Sequence, residues 1–571
     1  MRNTRIGWGK LKLVLAFGVL ASLYAGPARA QDEGNPPGRA ARLSFVQGNV
    51  SFQPSGETQW SQAILNYTMT TGDRIYTDQG AGAEIEVGPS TVRLSEATDL
   101  TMANLNDQIM QLGIGQGTVR LSVYEIQPGN TVEIDTPNGA LTALGPGFYR
   151  VDVEPNSGTR VTVDRGGLQV TGGGANVRVE PEQAVELTGT GPIQVNSVEF
   201  PGPDGFDQWC ASRDQRVASL QSRQYVNPYI PGAEDLDAYG QWSTAPDYGP
   251  VWYPAGVQAG WVPYRYGHWA WVEPWGWTWV EDEPWGFCPF HYGRWALVGA
   301  RWGWVPGPVA VLPVYSPALV AFVGGGGFSV GLGFGGGGVA AWFPLGPRDP
   351  FIPWYHYQGN YLRQVNITNV RNVTYISSVT NVTSVNMTSI HYQYRTVAAT
   401  AVPANVFQGG QPVARNSVRV SPQQLASAQV ISHPAVAPVQ SAVFGGRTPV
   451  AAPALRTARV TGPPRAPVMD SPARGLPEAS KPAPRSMPTA RNVPGGPPAS
   501  RPTFITRNPA PPLDVPFAAH EQALKQNAGR PLDPEQEKNV RQGRPAGPAP
   551  YRATPKPEKK EAPRSNSRQR Q

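Results

Sequence analysis

The chain has 571 residues with 64 Gly, 61 Pro, 17 Trp and 2 Cys, too rich in backbone breakers for one packed core and too poor in cysteine for a disulfide-stapled scaffold. Its formal charge of +7 divides unevenly: residues 395–571 carry 25 Lys and Arg against 9 Asp and Glu, so residues 31–394 are acidic. An acidic body argues against nucleic acid as a partner, and a basic tail points toward anionic surfaces.

Residues 1–30 read as an export signal. Arg2, Arg5, Lys10 and Lys12 precede an apolar run over residues 13–23, and Ala28-Arg29-Ala30 places small residues at −3 and −1 of a cleavage site after Ala30. The run is too short for an anchor, so no transmembrane helix is expected in the mature chain, and no Cys follows the site to carry a lipid. A periplasmic or secreted location in a bacterial cell envelope follows. Disulfides are allowed there, so Cys210 and Cys288 can form one bridge or remain two buried thiols.

After a linker over residues 31–41, residues 42–200 alternate apolar and polar side chains in short runs: "AEIEV" (83–87), "TVRLSV" (118–123), "FYRVDV" (148–153), "RVTVD" (160–164), "LQVT" (168–171) and "AVEL" (184–187). That is the period of half-buried strands, and no helical pattern long enough for a crossover intervenes, so the expectation is a mainly β sandwich or roll. Residues 134–187, with Thr-Pro, a Gly turn, an aromatic, and repeated Val-x-Val, resemble the FecR domain. They depart from it at Leu144-Gly145-Pro146-Gly147, where relatives carry Arg-Gly-Thr. The resemblance implies an all-β fold and, more remotely, an envelope signalling role exerted through a membrane partner.

Residues 201–228 read as a helical linker, with Asp204 as cap and Phe206, Trp209, Cys210, Val217 and Leu220 at helical spacing. The Trp/Gly-rich module at 229–360 follows, and twelve of the seventeen Trp fall between Trp242 and Trp304. "YGHWAWV" at 266 returns as "YGRWALV" at 292, and "WGW", "EPWG" and "GWVP" each occur twice. A period of about 26 residues suits a strand pair with its turns, so two or three tandem hairpins are expected. The phrase "EPWGFCPFHYGRW" resembles an uncharacterised bacterial exported family that follows FecR-like domains and brings no known activity. Packing against neighbouring units would make most rings a core, with Trp271, Trp279 and Trp285 expected to stay exposed and able to stack on a sugar.

Residues 302–347 carry no charge, and residues 328–334 alternate large apolar with small side chains between two polyglycine runs. Residues 361–394 include a Val/Ile triplet pattern at 366–388 that fits neither strand nor helix and reads as an extended segment. Residues 395–571 read as a disordered Pro/Ala/Arg-rich tail.

Catalytic signals are thin. Cys288 and His291 form a lone Cys-x-x-His without the second half of a zinc site, and Glu281-Asp282-Glu283 sits where a hairpin should turn into solvent. No metal, cofactor or enzymatic activity is expected. The leading reading is a non-catalytic envelope interaction scaffold whose tail meets anionic envelope polymers or peptidoglycan. Glycan binding through exposed Trp and FecR-type signalling stay open beside it.

Overall fold

The computed structural model describes residues 34–155, 157–324, 338–371, 390–450 and 501–547. The export signal with its cleavage after Ala30, the alternating run at 328–334, most of the triplet segment and tail residues 451–500 and 548–571 lie outside the described residues. The fold is mainly β, as the alternation predicts, with every alternating run named between residues 83 and 187 falling inside a strand.

Seventeen strands from Ala41–Gln47 to Gln194–Val198 join in one hydrogen-bonded system of two sheets. The sheets share the long strand Ile109–Val123. Its first half pairs with Asp99–Leu105 and, in parallel, with Thr131–Thr136; its second half pairs antiparallel with Ser90–Leu94 and Gly147–Glu154. The strand passes from one sheet to the other at Gly117, whose φ of +89° and whose Cβ, placed 2.4 Å from Thr98 Oγ1, leave room for glycine alone. Leu43, Ile85, Val92, Leu121, Val151 and Val163 from one sheet, and Ile75, Leu100, Leu112, Ile134 and Val170 from the other, are buried completely. Branched aliphatic side chains pack well on such pleated surfaces.

The expected helix runs over Gly205–Ala218. The Asp204 carboxylate accepts from the Asp207 backbone, and the Asp207 side chain returns the bond, closing a capping box. Phe206, Trp209, Cys210 and Val217 face inward.

Three hairpins build the aromatic module: Gly240–Ala245 with Gly249–Pro254, Gly267–Val272 with Gly276–Glu281, and Arg294–Val298 with Arg301–Val305. The first and third share a four-stranded sheet through the pair Trp252 and Trp304; the second stands between as a separate ribbon.

A fourth sheet corrects the reading of the tail. Val320–Gly324 and Val339–Pro344 pair with each other, and their outer edges are taken by Thr400–Pro403 and Gln429–Ile431. Helices Phe517–Gln526 and Pro534–Arg541 also pack, burying Phe517, Leu524 and Val540. The described tail residues are therefore ordered. Isolated apolar residues such as Phe407 and Phe517 find a ready-made aromatic surface on the body, so the tail needs no core of its own. The start of the triplet segment differs too, since Asn366 and Ile367 close the helix Tyr361–Ile367 rather than extending.

Candidate interaction site

Of the twelve clustered indoles, ten are buried, and only Trp242 and Trp302 are half-buried. Trp269 lies opposite Trp279 and Trp271 opposite Trp277 in the central ribbon, each pair edge to face at 5.5 Å and 5.4 Å between ring centroids. Alternation puts Trp269, Trp271, Trp277 and Trp279 on one face, and that face is covered by Phe322, Trp342 and Trp354 and by the tail residue Phe407, 4.4 Å from Trp277. Four polar ends are met inside the cluster: Trp271 Nε1 donates to Glu273, Trp279 Nε1 to Glu281, Trp252 Nε1 to the Leu236 carbonyl and Trp304 Nε1 to the Tyr292 carbonyl, all at 2.7–2.8 Å.

The expectation that Trp271, Trp279 and Trp285 stay exposed is corrected: their exposures are 3%, 0% and 1%. Trp271 and Trp279 lie in the ribbon that residues further along the chain cover, and Trp285 is enclosed within the module between Trp252, Trp261 and Phe290. No sugar can stack on a ring so enclosed. The expected solvated turn at Glu281 is likewise corrected, since Glu281 ends a strand, is buried, and has its carboxyl pushed well above the usual range by that burial. Asp282 beside it remains exposed.

Cys210 and Cys288 are free and buried, so the bridge is not formed. Cys210 packs with Phe206 and Trp209 beneath the capped helix, whereas Cys288 sits in the main aromatic core. Burial pushes the Cys210 thiol up to about 12 and Cys288 well above its ordinary value. His291, one turn beyond Cys288, stacks on Tyr315 and shares a hydrogen bond with the Ser316 carbonyl at 2.9 Å; burial lowers its pKa to about 3. It is a packed neutral ring that holds a loop.

The polar constellation that the alternation conceals lies on the outer face of the β domain. Arg93, Arg120 and Arg150 stand directly opposite one another on three adjacent strands, a like-charge ladder that would repel if left alone. The helix Gly205–Ala218 lies over it. Arg93 pairs with Glu84 at 2.6 Å and Asp214 at 2.7 Å, Arg120 with Asp207 at 3.2 Å, and Arg150 with Asp204 at 2.8 Å and Asp207 at 2.6 Å. Burial alone would raise the Glu84 pKa, but Arg213 and Arg93 overcome it and hold this carboxylate well below the usual range. The spacing of Asp204, Asp207 and Asp214 on one helical face was the available signal for this pairing.

A second node joins the two modules. Arg42 pairs with Asp235 at 2.6 Å and donates to the Asn66 side chain and the Pro284 carbonyl, while the Asn66 amide donates to the carbonyls of Glu281 and Glu283. Glu84, Glu86 and Glu234 bring carboxylate oxygens within 4.8 Å of one another, the spacing a cation needs. The guanidinium groups of Arg42, Arg93 and Arg213 already supply positive charge there, a setting that suits ion pairs rather than a metal. At the end of the arginine ladder a groove of about 380 Å³ is lined by Arg150, Asp152, Arg160, Glu186 and Asp204. A smaller cavity of about 40 Å³ lies where Asp73 and Glu57 of the β domain meet Trp271 and Glu273 of the ribbon and Phe517 and His520 of the tail.

Residues 233–349, the aromatic module with its preceding turn of helix, match a family of unknown function, DUF6600. The match covers the repeat block and not the β domain at residues 42–200. Two crystal structures of an anti-sigma factor candidate from Parabacteroides distasonis, at 1.65 and 2.50 Å resolution, are similar to this chain at 17% and 18% identity with a TM-score of 0.20. The similarity covers 22% of this chain and 60% of theirs, too slight a likeness to carry an argument about fold or function. No curated protein matches the chain. Among the described residues no helix is long and apolar enough to cross a membrane.

Proposed function

We propose that the chain is a non-catalytic interaction scaffold of the bacterial cell envelope, exported through its N-terminal signal, in which a FecR-like β domain is held rigidly by the aromatic module and the returning tail. The observation that supports this is the burial of the indoles: ten of twelve clustered Trp are inside. A ring in a dry interior contributes stability and shape, and it offers no face to a ligand. The described surface includes an ionic groove beside Arg150 and Arg160, the tail is basic in composition, and such charge selects partners. Anionic envelope polymers are the partner class this favours for the tail.

Iodide quenching of tryptophan fluorescence on the full chain, with and without peptidoglycan fragments, tests the reading. Blue-shifted emission that iodide barely touches and that glycan leaves unchanged is expected. Readily quenched emission that peptidoglycan protects would instead make the aromatic module a glycan platform and overturn the scaffold reading. Co-sedimentation with purified sacculi completes the test, because tail-mediated charge attraction must disappear in high salt.

A further inference from the structure

Residues 501–508, Arg-Pro-Thr-Phe-Ile-Thr-Arg-Asn, lie across the sheet that contains Thr131–Thr136. Ile505 forms an antiparallel bridge with Thr136, its N–H donating to the Thr136 carbonyl at 3.0 Å. The floor beneath the segment is made of glycine. A Cβ on Gly113 would lie 2.5 Å from the Phe504 ring, one on Gly115 would lie 2.7 Å from Pro502 Cγ, and one on Gly172 would lie 2.6 Å from Ile505 Cγ2. Gly113 and Gly115 sit within the long strand without a left-handed backbone, so no turn explains them and the space they leave is what the segment uses.

The rim is polar, buried and aimed at the segment. Glu133, fully buried, accepts from the backbone N–H groups of Arg507 and Asn508, both at 3.1 Å, from the Thr506 hydroxyl at 3.3 Å and from the Asn508 amide. Gln111, also fully buried, donates to Thr506 Oγ1 at 2.8 Å and to the Asn508 carbonyl at 2.6 Å. A buried carboxylate that takes two successive backbone N–H groups reads main chain rather than one sequence. Side-chain selection comes from the glycine floor, which admits proline, an aromatic two residues on and a β-branched residue beside it.

The occupant is placed to leave. Phe504 and Ile505 are only half-buried, and Thr503, Thr506 and Arg507 are exposed. Residues 451–500, which lie outside the described residues, connect the segment to Val450, which bridges to Trp60. We infer that this glycine-floored groove is a binding site for an extended protein segment with the pattern proline, any residue, aromatic, β-branched, and that residues 501–508 are the resident occupant which a partner's segment of that kind displaces. The inference deepens the scaffold reading by giving it a partner class, and its test probes the groove rather than the rings, so the two can fail separately.

A fluorescently labelled peptide of residues 501–509 is titrated into the full chain and into a full chain carrying Phe504→Ala and Ile505→Ala, with circular dichroism confirming that both are folded. A resident on the same chain competes intramolecularly, so the double variant is expected to bind the peptide at least about tenfold more tightly than the unaltered chain. Adding Gly113→Leu should abolish that binding. If Gly113→Leu disturbs folding, a peptide in which the phenylalanine is alanine serves in its place and should bind the double variant at least about tenfold more weakly, since it loses the ring that the glycine floor receives. Equal weak binding to both chains, or binding indifferent to the peptide's phenylalanine, would overturn the inference. So would affinity that vanishes at about 0.5 M salt, which would reduce it to attraction between Arg501, Arg507 and an acidic body.

Discussion

The β domain and the aromatic module face the same task, covering backbone with apolar surface, and they solve it over different distances along the chain. In the β domain the partners are mostly near neighbours in sequence, as in Gly82–Val87 with Ser90–Leu94 or Gly147–Glu154 with Gly158–Arg165. Small branched side chains fill its interior. In the aromatic module each hairpin is local, but the rings of the central ribbon are enclosed by residues from 322 to 407 and, at Trp277 Nε1, by the Val436 carbonyl. A two-stranded ribbon cannot bury large rings by itself, so this module depends on later sequence in a way the β domain does not.

That dependence is where the comparison can be broken most sharply. Trp269→Ala should cost about 3–5 kcal/mol, and Phe407→Ala, a tail residue, should cost a comparable amount, whereas Ile85→Val in the β domain should cost about 0.5–1.5 kcal/mol. Urea midpoints by circular dichroism would decide it. A Phe407→Ala chain with an unchanged midpoint would mean that the tail lies on the module without completing it.

The ionic ladder ranks next. Glu84→Ala removes the shared carboxylate of Arg93 and Arg213 and leaves two buried guanidinium groups short of a partner, at a cost of about 3–5 kcal/mol. Replacing Arg178, whose pairing with Glu180 is solvent-exposed, should change the midpoint by no more than about 0.5 kcal/mol.

A smaller effect appears on titration. Burial raises Asp73 and Glu273, which line the small cavity between β domain, ribbon and tail, to about 7. Both are acids with folded pKa values above their unfolded ones, so the folded state holds extra protons between roughly pH 4 and 7, and stability rises as pH falls through that window. The thermal midpoint should therefore be higher at pH 5.5 than at pH 8, and Asp73→Asn should flatten the difference. A midpoint that falls steadily on acidification would show that other carboxylates control this junction. The least perturbing check concerns the cysteines: a thiol reagent should find neither in the native chain and both after unfolding, with no mass change on reduction.

The strand alternation made the β domain legible, because a period of two needs only local sequence to be seen. The capped helix was legible for the same reason, through Asp204 and the spacing of Phe206, Trp209 and Val217. The hairpin period and a largely buried ring cluster also followed from the repeat. What stayed hidden was whatever a distant element covers. Arg93, Arg120 and Arg150 occupy the polar positions of strands whose outer face would ordinarily be wet, and only the helix laid across them makes those positions interior. Trp271 and Trp279 are buried through contacts with later parts of the chain, and Trp285 through rings of the neighbouring hairpins. The tail's composition gave no hint that Phe407 or Phe517 would dock, since docking depends on a surface the tail does not encode.

The pairing of Thr400–Pro403 and Gln429–Ile431 with strands at 320–344 has a further consequence, in time rather than in space. A chain that emerges N-terminus first can close its β domain early, but its indoles must wait until roughly a hundred more residues arrive before their last walls are in place. Contacts of such sequence separation form slowly, and exposed aromatic surface in the interval invites association with other chains. Assembly of this protein should accordingly be slowest, and most in need of assistance, at the step where the tail returns.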